Sequence, residues 1–445
     1  MCAIVGVFDV KHASKIAYYA LFAMQHRGQE ATGISSSDGK RIRTIKDNGL
    51  VTEVFNETKL TFLDGDMAIG HNRYSTAGSD SVKDAQPVAA SYKLGDISIV
   101  HNGNLINKHE VRSRLIEQGA IFQSSMDTEN IIHLIARSQQ DKLKDRIVEA
   151  LNVIKGAYCL LIQSRSKMFA IRDRYGVRPL SIGKLKEGGY IVASETCALD
   201  LVDAEFVRDV RPGEMVIFRH GQEAFESIQL FEPDPHICAF EFIYFARPDS
   251  VIEGKNVYAA RKRMGMKLAD LSPVKADFVI PVPDSGVSAA LGYAQQSGIP
   301  FEMAIVRNHY VGRTFIEPTQ AVRDLKVKLK LSPIHKILEG KKIVVIDDSI
   351  VRGTTSRQIV KMLKRAGAAE VHMRIASPTI EHPCLYGIDT PSYKELISAN
   401  KNVEEVREYI GADSLAFLSI EALKESIGND MNYSLVSFDG NYFIK

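Results

Sequence analysis

The sequence predicts two domains of different fold class. The first is an α+β sandwich of antiparallel sheets between helix layers (αββα). The second is an α/β domain on a parallel sheet. Three observations carry this. A chain of 445 residues accommodates two to four domains at roughly 100–200 residues each. The first half is a succession of short apolar or alternating runs bounded by Gly, Asp, Asn or Ser, with few helical stretches between. After a polar segment with two prolines at 229–236, QLFEPDPH, strand and helix alternate, which is the mark of βαβ units. The expected division is 2–230 and 231–445.

In the first domain the runs at 2–8, 67–71, 97–101, 157–163, 168–172 and 190–194 read as strands. Residues 157–172 read as a hairpin turning at 164–167. Helices are expected at about 14–25, 107–118 and 127–138. In the last, Ile131, Ile132, Leu134 and Ile135 supply an apolar face, and Asp127 is placed to cap it. In the second domain a helix fits 255–271, a strand 277–282, a helix 286–297, and strands 301–306 and 342–347. A helix then fits 356–366, with Ile359, Val360, Leu363 and Ala366 on one face and Gly367 at its C-terminal cap. A strand fits 371–376, and 392–430 reads as mostly helical.

Composition narrows the function classes. Hydrophobic residues are 45% and charged residues 25%, as in ordinary globular domains, which excludes a disordered, collagenous or coiled-coil chain. Lys plus Arg is 56 against 54 Asp plus Glu, a net charge of +2, so no nucleic-acid or membrane partner is indicated. No apolar run reaches the roughly 18–20 residues of a membrane span. The start, MCAIVGVFDV, lacks the basic and long apolar regions of a secretory signal. Five thinly spread cysteines argue against a disulfide framework. A cytoplasmic protein is expected.

Residues 342–356, KIVVIDDSIVRGTTS, run from a buried strand into two aspartates, then into Gly and hydroxyl residues, then into a helix. Ligands of parallel sheets sit at the carboxyl ends of strands. Asp347 and Asp348 would reach there, to accept bonds from ribose hydroxyls or to hold Mg²⁺ through water. Gly353, Thr354, Thr355 and Ser356 offer N–H groups and hydroxyls at a helix N-terminus, which favours a phosphate. The string is neither a Walker A loop nor a dinucleotide fingerprint. It resembles the phosphoribosyl diphosphate (PRPP) loop of the type I phosphoribosyltransferases. That resemblance implies ribose contacts at Asp347 and Asp348 and phosphate contacts along Ser349, Arg352, Gly353, Thr354, Thr355 and Ser356. PVPDSG at 281–286 looks like the family's pyrophosphate loop, implying contacts at Asp284, Ser285 and Gly286, with Ser285 joining Asp347 and Asp348 around Mg²⁺.

Cys2 directly follows Met1. Removal of Met1 would give a residue carrying a thiol nucleophile and its own base, an α-amine with a pKa of roughly 7.7–8.0. HRGQEATG at 26–33, HNRYSTAG at 71–78, VHNGNL at 100–105 and MDTE at 126–129 resemble, in order and spacing, the class II (N-terminal nucleophile) glutamine amidotransferases. Singly, Cys2 would pass for an incidental buried thiol, Arg73 for a surface ion pair and Asp127 for a helix cap. Together the resemblance implies Arg73 on the glutamine carboxylate, Asp127 on its ammonium, and Asn102 and the Gly103 N–H on the oxyanion. Thr76 and Gly28 would line the carboxylate site, and Arg27 would lie on a loop able to close over substrate. Ala3 departs from the family's usual Gly after the nucleophile.

A glutaminase followed by a PRPP-binding domain resembles the amidophosphoribosyltransferase family. FEFIYFARPDS at 240–250, NVYAARKRMG at 256–265 and RNHYVGRTFIEPTQ at 307–320 agree. The implied reaction converts glutamine, PRPP and water to 5-phosphoribosylamine, glutamate and pyrophosphate, the first committed step of de novo purine synthesis. The alternatives are another class II amidotransferase and a non-catalytic PRPP-binding regulator. The segment 307–332 resembles the family's mobile loop, with Tyr310 and Arg313 as ligand or channel contacts. Purine nucleotides are implied as feedback inhibitors, and a homotetramer or homodimer as the assembly. Some homologues hold a four-iron, four-sulfur cluster on four cysteines. Cys238 and Cys384 match two of them, but Ser434 and Ser437 stand for the others in SLVSFDGNY, so no cluster is expected. Only Met1 precedes Cys2, so no propeptide is expected.

Overall fold

The computed structural model describes residues 1–74, 81–308, 330–388 and 392–444. Two antiparallel sheets form the first domain. One has seven strands in the order Glu205–Asp209, Ser181–Lys184, Tyr190–Ala193, Ala3–Phe8, Met67–Arg73, Ala31–Ser37, Ile42–Asn48. The other has six, Glu226–Gln229, Glu214–Arg219, Lys167–Arg172, Gly156–Ser164, Gly95–Leu105 and Val88–Tyr92. The period of two along Ala3–Phe8 explains the layering. Ile4 and Phe8 point into the core between the sheets, with Val100, Leu161, Met168 and Phe218. Ala3, Val5 and Val7 point the other way, onto the helix Ala13–Ala23. The helices Asp127–Arg137 and Leu143–Leu151 cover the outer face of the second sheet through Ile131, Ile135 and Ile147. The αββα sandwich is therefore as expected.

The second domain carries four parallel strands in the order Phe278–Pro281, Lys342–Asp347, Glu370–Ile375, Ser414–Phe417. Both faces are covered, which is why Phe278–Pro281 and Lys342–Asp347 read as apolar runs, FVIP and KIVVID. Val279, Val344 and Ile346 pack toward the helices Val257–Leu271 and Val287–Ser297. Ile280, Ile343 and Val345 pack toward Thr354–Arg365 and Val403–Ile410. The carboxyl ends of the first two strands lie together, with Val282 donating to the Ile346 carbonyl at 2.8 Å.

Three expectations are corrected. The stretch 392–430 holds short helices but also Ser414–Phe417, the fourth strand of the parallel sheet. Asp127 is the first residue of its helix rather than its cap; Met126 occupies the cap position without a side-chain bond. The strand expected at 301–306 forms only at Ile305–Arg307, paired antiparallel with Leu331–Pro333, with an isolated bridge from Phe301 to Val279. Most of the expected mobile loop, with Tyr310 and Arg313, and also Thr76, lies outside the described residues.

Candidate active site

The central strand Ala3–Phe8 presents Cys2 at its start, beside Asn72 of the neighbouring strand, which pairs with Ala3. The residue is held at both backbone ends. Its N–H donates to Asn102 Oδ1 at 3.2 Å, and its carbonyl accepts from Arg27 Nε at 3.0 Å. The thiol lies 3.7 Å from the Tyr74 carbonyl. Met1 is sealed in, 1% exposed, with its sulfur on the Arg178 guanidinium. Burial pushes the Met1 amine down to about 5.

Asn102 and Gly103 come from Gly95–Leu105 in the opposite sheet, so the two sheets of the sandwich together build the site. Asn102 is buried, and its Nδ2 has no hydrogen-bond partner among the described residues. A buried donor left unmade costs about 1–3 kcal/mol, and a ligand oxygen would satisfy this one. Gly103 cannot carry a side chain, because a Cβ would stand 2.0 Å from the Ala157 carbonyl. Gly28 is equally constrained: a Cβ would lie 2.5 Å from the Arg73 carbonyl carbon and oxygen. The 25–28 turn thus packs directly on the strand end that carries Arg73, itself 2% exposed.

Asp127 packs against the strand that carries Asn102 and Gly103. Its Oδ2 accepts from the Leu105 N–H at 2.9 Å, and its Oδ1 lies 3.4 Å from His101 Nδ1. Burial pushes this carboxyl up, but the His101 ring and the Leu105 N–H outweigh it and hold the group below the usual carboxylate range. A carboxylate is thereby kept ionised for a cationic ligand. Arg27 is placed differently from the expectation. Its side chain is fully buried between Glu195 and Glu241, so it does not ride a loop free to close over substrate. Sequence reasoning missed His101, Glu195 and Glu241, although His101 and Glu241 stand inside motifs already singled out, VHNGNL and FEFIYFARPDS.

In the second domain Asp347 ends its strand and Asp348 follows; they are 6% and 8% exposed. The Asp348 N–H donates to Asp347 Oδ1 at 3.0 Å, and Ser349 Oγ donates to Asp348 Oδ2 at 2.6 Å. Burial, then the neighbouring Asp348 charge, drives the Asp347 carboxyl well above its ordinary range. Two buried carboxyl groups side by side offer oxygens that accept from ribose hydroxyls and hold a hydrated cation. Gly353 makes the turn at φ 74° into the helix Thr354–Arg365, which has no side-chain cap. Its first turn leaves Thr354 and Thr355 exposed and Ser356 buried. Arg352 is turned aside onto Glu395 at 3.2 Å. The loop with Asp284, Ser285 and Gly286 lies alongside, since a Cβ on Gly286 would meet the Ile346 carbonyl at 2.3 Å. Asp284 is paired with Arg307. Burial pushes the hydroxyl of the half-exposed Tyr244 up to about 12, and the group feels the charges of both Asp348 and Asp347.

The two halves match two family models: a glutamine amidotransferase domain over residues 71–201 and a phosphoribosyl transferase domain over 251–403. The Bacillus subtilis amidophosphoribosyltransferase is 48% identical over 99% of this chain and 94% of its own length. The chain belongs to the amidophosphoribosyltransferase family. The chloroplastic amidophosphoribosyltransferase 1 of Arabidopsis thaliana is 52% identical over the whole chain and 79% of the relative. The solved glutamine PRPP amidotransferase of B. subtilis, complexed with ADP and GMP, superposes with a TM-score of 0.94 at 47% identity, covering 100% of this chain and 98% of that one. Cys238 pairs with Ser434 across a short parallel bridge. Cys384 is within electrostatic reach of Cys238, and Ser437 accepts through its carbonyl from Glu381 and His382.

Proposed function

We propose that the two sites described above are the two half-reaction centres of one amidophosphoribosyltransferase, with Cys2 as nucleophile. The family reaction converts glutamine, PRPP and water to 5-phosphoribosylamine, glutamate and pyrophosphate, the entry to purine synthesis. The observation that carries the assignment is Asn102 Nδ2, buried beside Cys2 and without a hydrogen-bond partner among the described residues. Once Met1 is removed, the Cys2 amine takes the thiol proton. The thiolate attacks the amide carbonyl of glutamine, and Asn102 Nδ2 with the Gly103 N–H stabilises the oxyanion. The proton passes to the leaving nitrogen, ammonia departs, and water hydrolyses the thioester to glutamate. Arg73 binds the substrate carboxylate, with Gly28 and Thr76 lining that end, and Asp127 binds the ammonium.

In the second site Asp347 and Asp348 bind the ribose hydroxyls. Ser349, Gly353, Thr354, Thr355 and Ser356 receive the 5-phosphate at the helix N-terminus, with Arg352 at its rim. Asp284, Ser285 and Gly286 face the pyrophosphate, and Tyr310 and Arg313 are assigned to the segment that covers it. The paired, buried carboxylates fit Mg²⁺, which Asp347, Asp348 and Ser285 would hold together with the substrate. Bound there, it offsets the charge of the departing pyrophosphate. Ammonia attacks C1 of PRPP and pyrophosphate leaves with inversion. A passage shielded from water keeps ammonia unprotonated between the sites.

An iron–sulfur cluster does not fit. Two of its four positions, Ser434 and Ser437, are serines, which lack the thiolate that iron–sulfur clusters take as ligand. Purine nucleotides as feedback inhibitors are supported by the ADP and GMP of the B. subtilis complex. A homotetramer or homodimer, a domain division at 230/231, where the last sandwich strand ends at Gln229, and a cytoplasmic location complete the proposal. No helix among the described residues is long and apolar enough to cross a membrane.

The test is pyrophosphate release from PRPP and Mg²⁺ with glutamine, with ammonium or with neither. Release with either donor, and glutamate in step with pyrophosphate when glutamine is given, is expected. Glutamate without pyrophosphate would overturn the coupled assignment.

A further inference from the structure

Directly behind Cys2 a cluster of buried charges spans the two domains. Arg27 Nε donates to the Cys2 carbonyl at 3.0 Å. Its Nη1 donates to Glu195 at 2.6 Å and to Glu241 Oε2 at 2.9 Å, and its Nη2 donates to Glu241 Oε1 at 2.9 Å. All three side chains are fully buried. Glu195 belongs to the sandwich, just beyond Tyr190–Ala193. It is also held by His26 at 2.8 Å, the Arg247 N–H at 2.9 Å and the Ser250 hydroxyl at 2.7 Å. Glu241 lies beyond the sandwich, at the head of the π-helical turn Glu241–Phe245. Its other charged neighbour is Arg178, at 3.6 Å.

We infer that Glu241 is a positioning residue for the nucleophile: by gripping both terminal nitrogens of Arg27 it fixes the guanidinium plane in which Nε holds the Cys2 carbonyl. The second domain thereby completes the catalytic centre of the first through one carboxylate. Glu195 alone cannot do this, because it bonds Nη1 only and leaves the plane free to turn about that contact. A bidentate carboxylate sets the orientation as well as the charge balance. With the amine end on Asn102 and the carbonyl end on Arg27, the Cys2 backbone is clamped, and the thiol swings only about its own side-chain bonds. The two domains therefore share one buried, charge-matched joint, Arg27 and Arg178 against Glu195 and Glu241. The same π-helical turn, Glu241–Phe245, carries Tyr244. Arg261 fastens that turn from behind, donating to the carbonyls of Phe242 at 2.7 Å and Ala246 at 2.8 Å.

This inference rests on Cys2 being the nucleophile, and the experiment separates the two. Full-length Glu241→Gln keeps the shape and removes the charge. Small misplacements of a reacting group cost about a hundredfold, so a ten- to hundredfold fall in glutamine-dependent kcat is expected, on the order of 1.4–2.7 kcal/mol. The glutamine KM should stay within about threefold and ammonia-dependent synthesis within about twofold, the split that marks loss of a transition-state contribution. Equal loss of both activities, or loss of neither, would overturn the inference. Should Glu241→Gln not fold, Arg27→Lys retains the charge without the Nε–H donor. Selective loss of the glutamine-dependent rate is expected there too, and a full rate would refute the proposal. Cys2→Ala is the control. If it retained glutamine-dependent activity, the underlying assignment would fall. If it is inactive with glutamine while Glu241→Gln is unimpaired, only the positioning role falls.

Discussion

Replacing Asn102 with alanine isolates the oxyanion donor. The carboxamide makes one bond to Cys2, through Oδ1 at 3.2 Å, and its Nδ2 is buried without a partner among the described residues. Truncation therefore removes a donor whose burial costs about 1–3 kcal/mol. Against that stand a small cavity and the loss of one long hydrogen bond, each worth about 1 kcal/mol. The folded protein should change little in stability, with Tm within about 4 °C. Catalysis should suffer far more, because an oxyanion donor contributes on the order of 10²–10³ in kcat, about 2.7–4 kcal/mol. The assay is glutamate release with PRPP present, with glutamine varied to separate kcat from KM, alongside ammonia-dependent pyrophosphate release. Expected are a kcat loss of about 10²–10³, a nearly unchanged KM and an intact ammonia reaction. A rise in KM at constant kcat would make Asn102 a ground-state contact and refute the reasoning. So would a Tm collapse large enough to lower both reactions.

Cys2→Ala should abolish glutamine-dependent synthesis while ammonia at high concentration still yields product, measured as pyrophosphate; loss of both would make Cys2 structural. Asp347→Asn should raise the PRPP KM by roughly tenfold or more, as expected when a charge-assisted hydrogen bond is lost, and leave basal glutaminase turnover measurable; an unchanged KM would exclude ribose binding there. His71, fully buried, is pushed down to about 3 by burial and by Arg73. The unfolded chain therefore takes up its proton near pH 6.5 while the folded chain does not. The stability this group confers is complete above about pH 6.5 and is lost toward pH 3, at up to about 1.4 kcal/mol per pH unit. His71→Asn should flatten the fall of Tm between pH 6.5 and 4; parallel curves for the two proteins would contradict this.

Legibility followed burial. Ala3–Phe8, Gly156–Ser164 and Lys342–Asp347 are almost wholly buried and announce themselves as apolar runs. Ala31–Ser37 is just as buried but reads ATGISSS. Its polarity is absorbed by bonds such as Ser36 to the Met67 carbonyl and Thr32 to the His71 carbonyl and Asn72, which no composition rule reveals. Val88–Tyr92 and Glu226–Gln229 escaped because they are edges, half exposed and weakly patterned. In the site, Cys2 stands at the start of its strand and Asp347 at the end of its own, as the motifs placed them, while Asn102 lies inside Gly95–Leu105 and Asp127 is the first helical residue rather than the cap. Arg27 was misplaced because its partners, Glu195 and Glu241, lie 168 and 214 residues away, and pairings of that range are invisible to spacing.

The seam between the domains is closed from the far end of the chain. Ile237–Cys238, just past the linker, is paired with Tyr433–Ser434. The Phe443 ring stacks on His236 at 4.2 Å, and the Ile444 N–H donates to the Tyr386 hydroxyl at 3.0 Å. The sandwich has all its strands by Gln229, whereas this clasp needs residues made roughly two hundred positions later, on the order of 10–40 s of synthesis. The joint between the two halves is therefore complete only when the last residues of the described chain are in place.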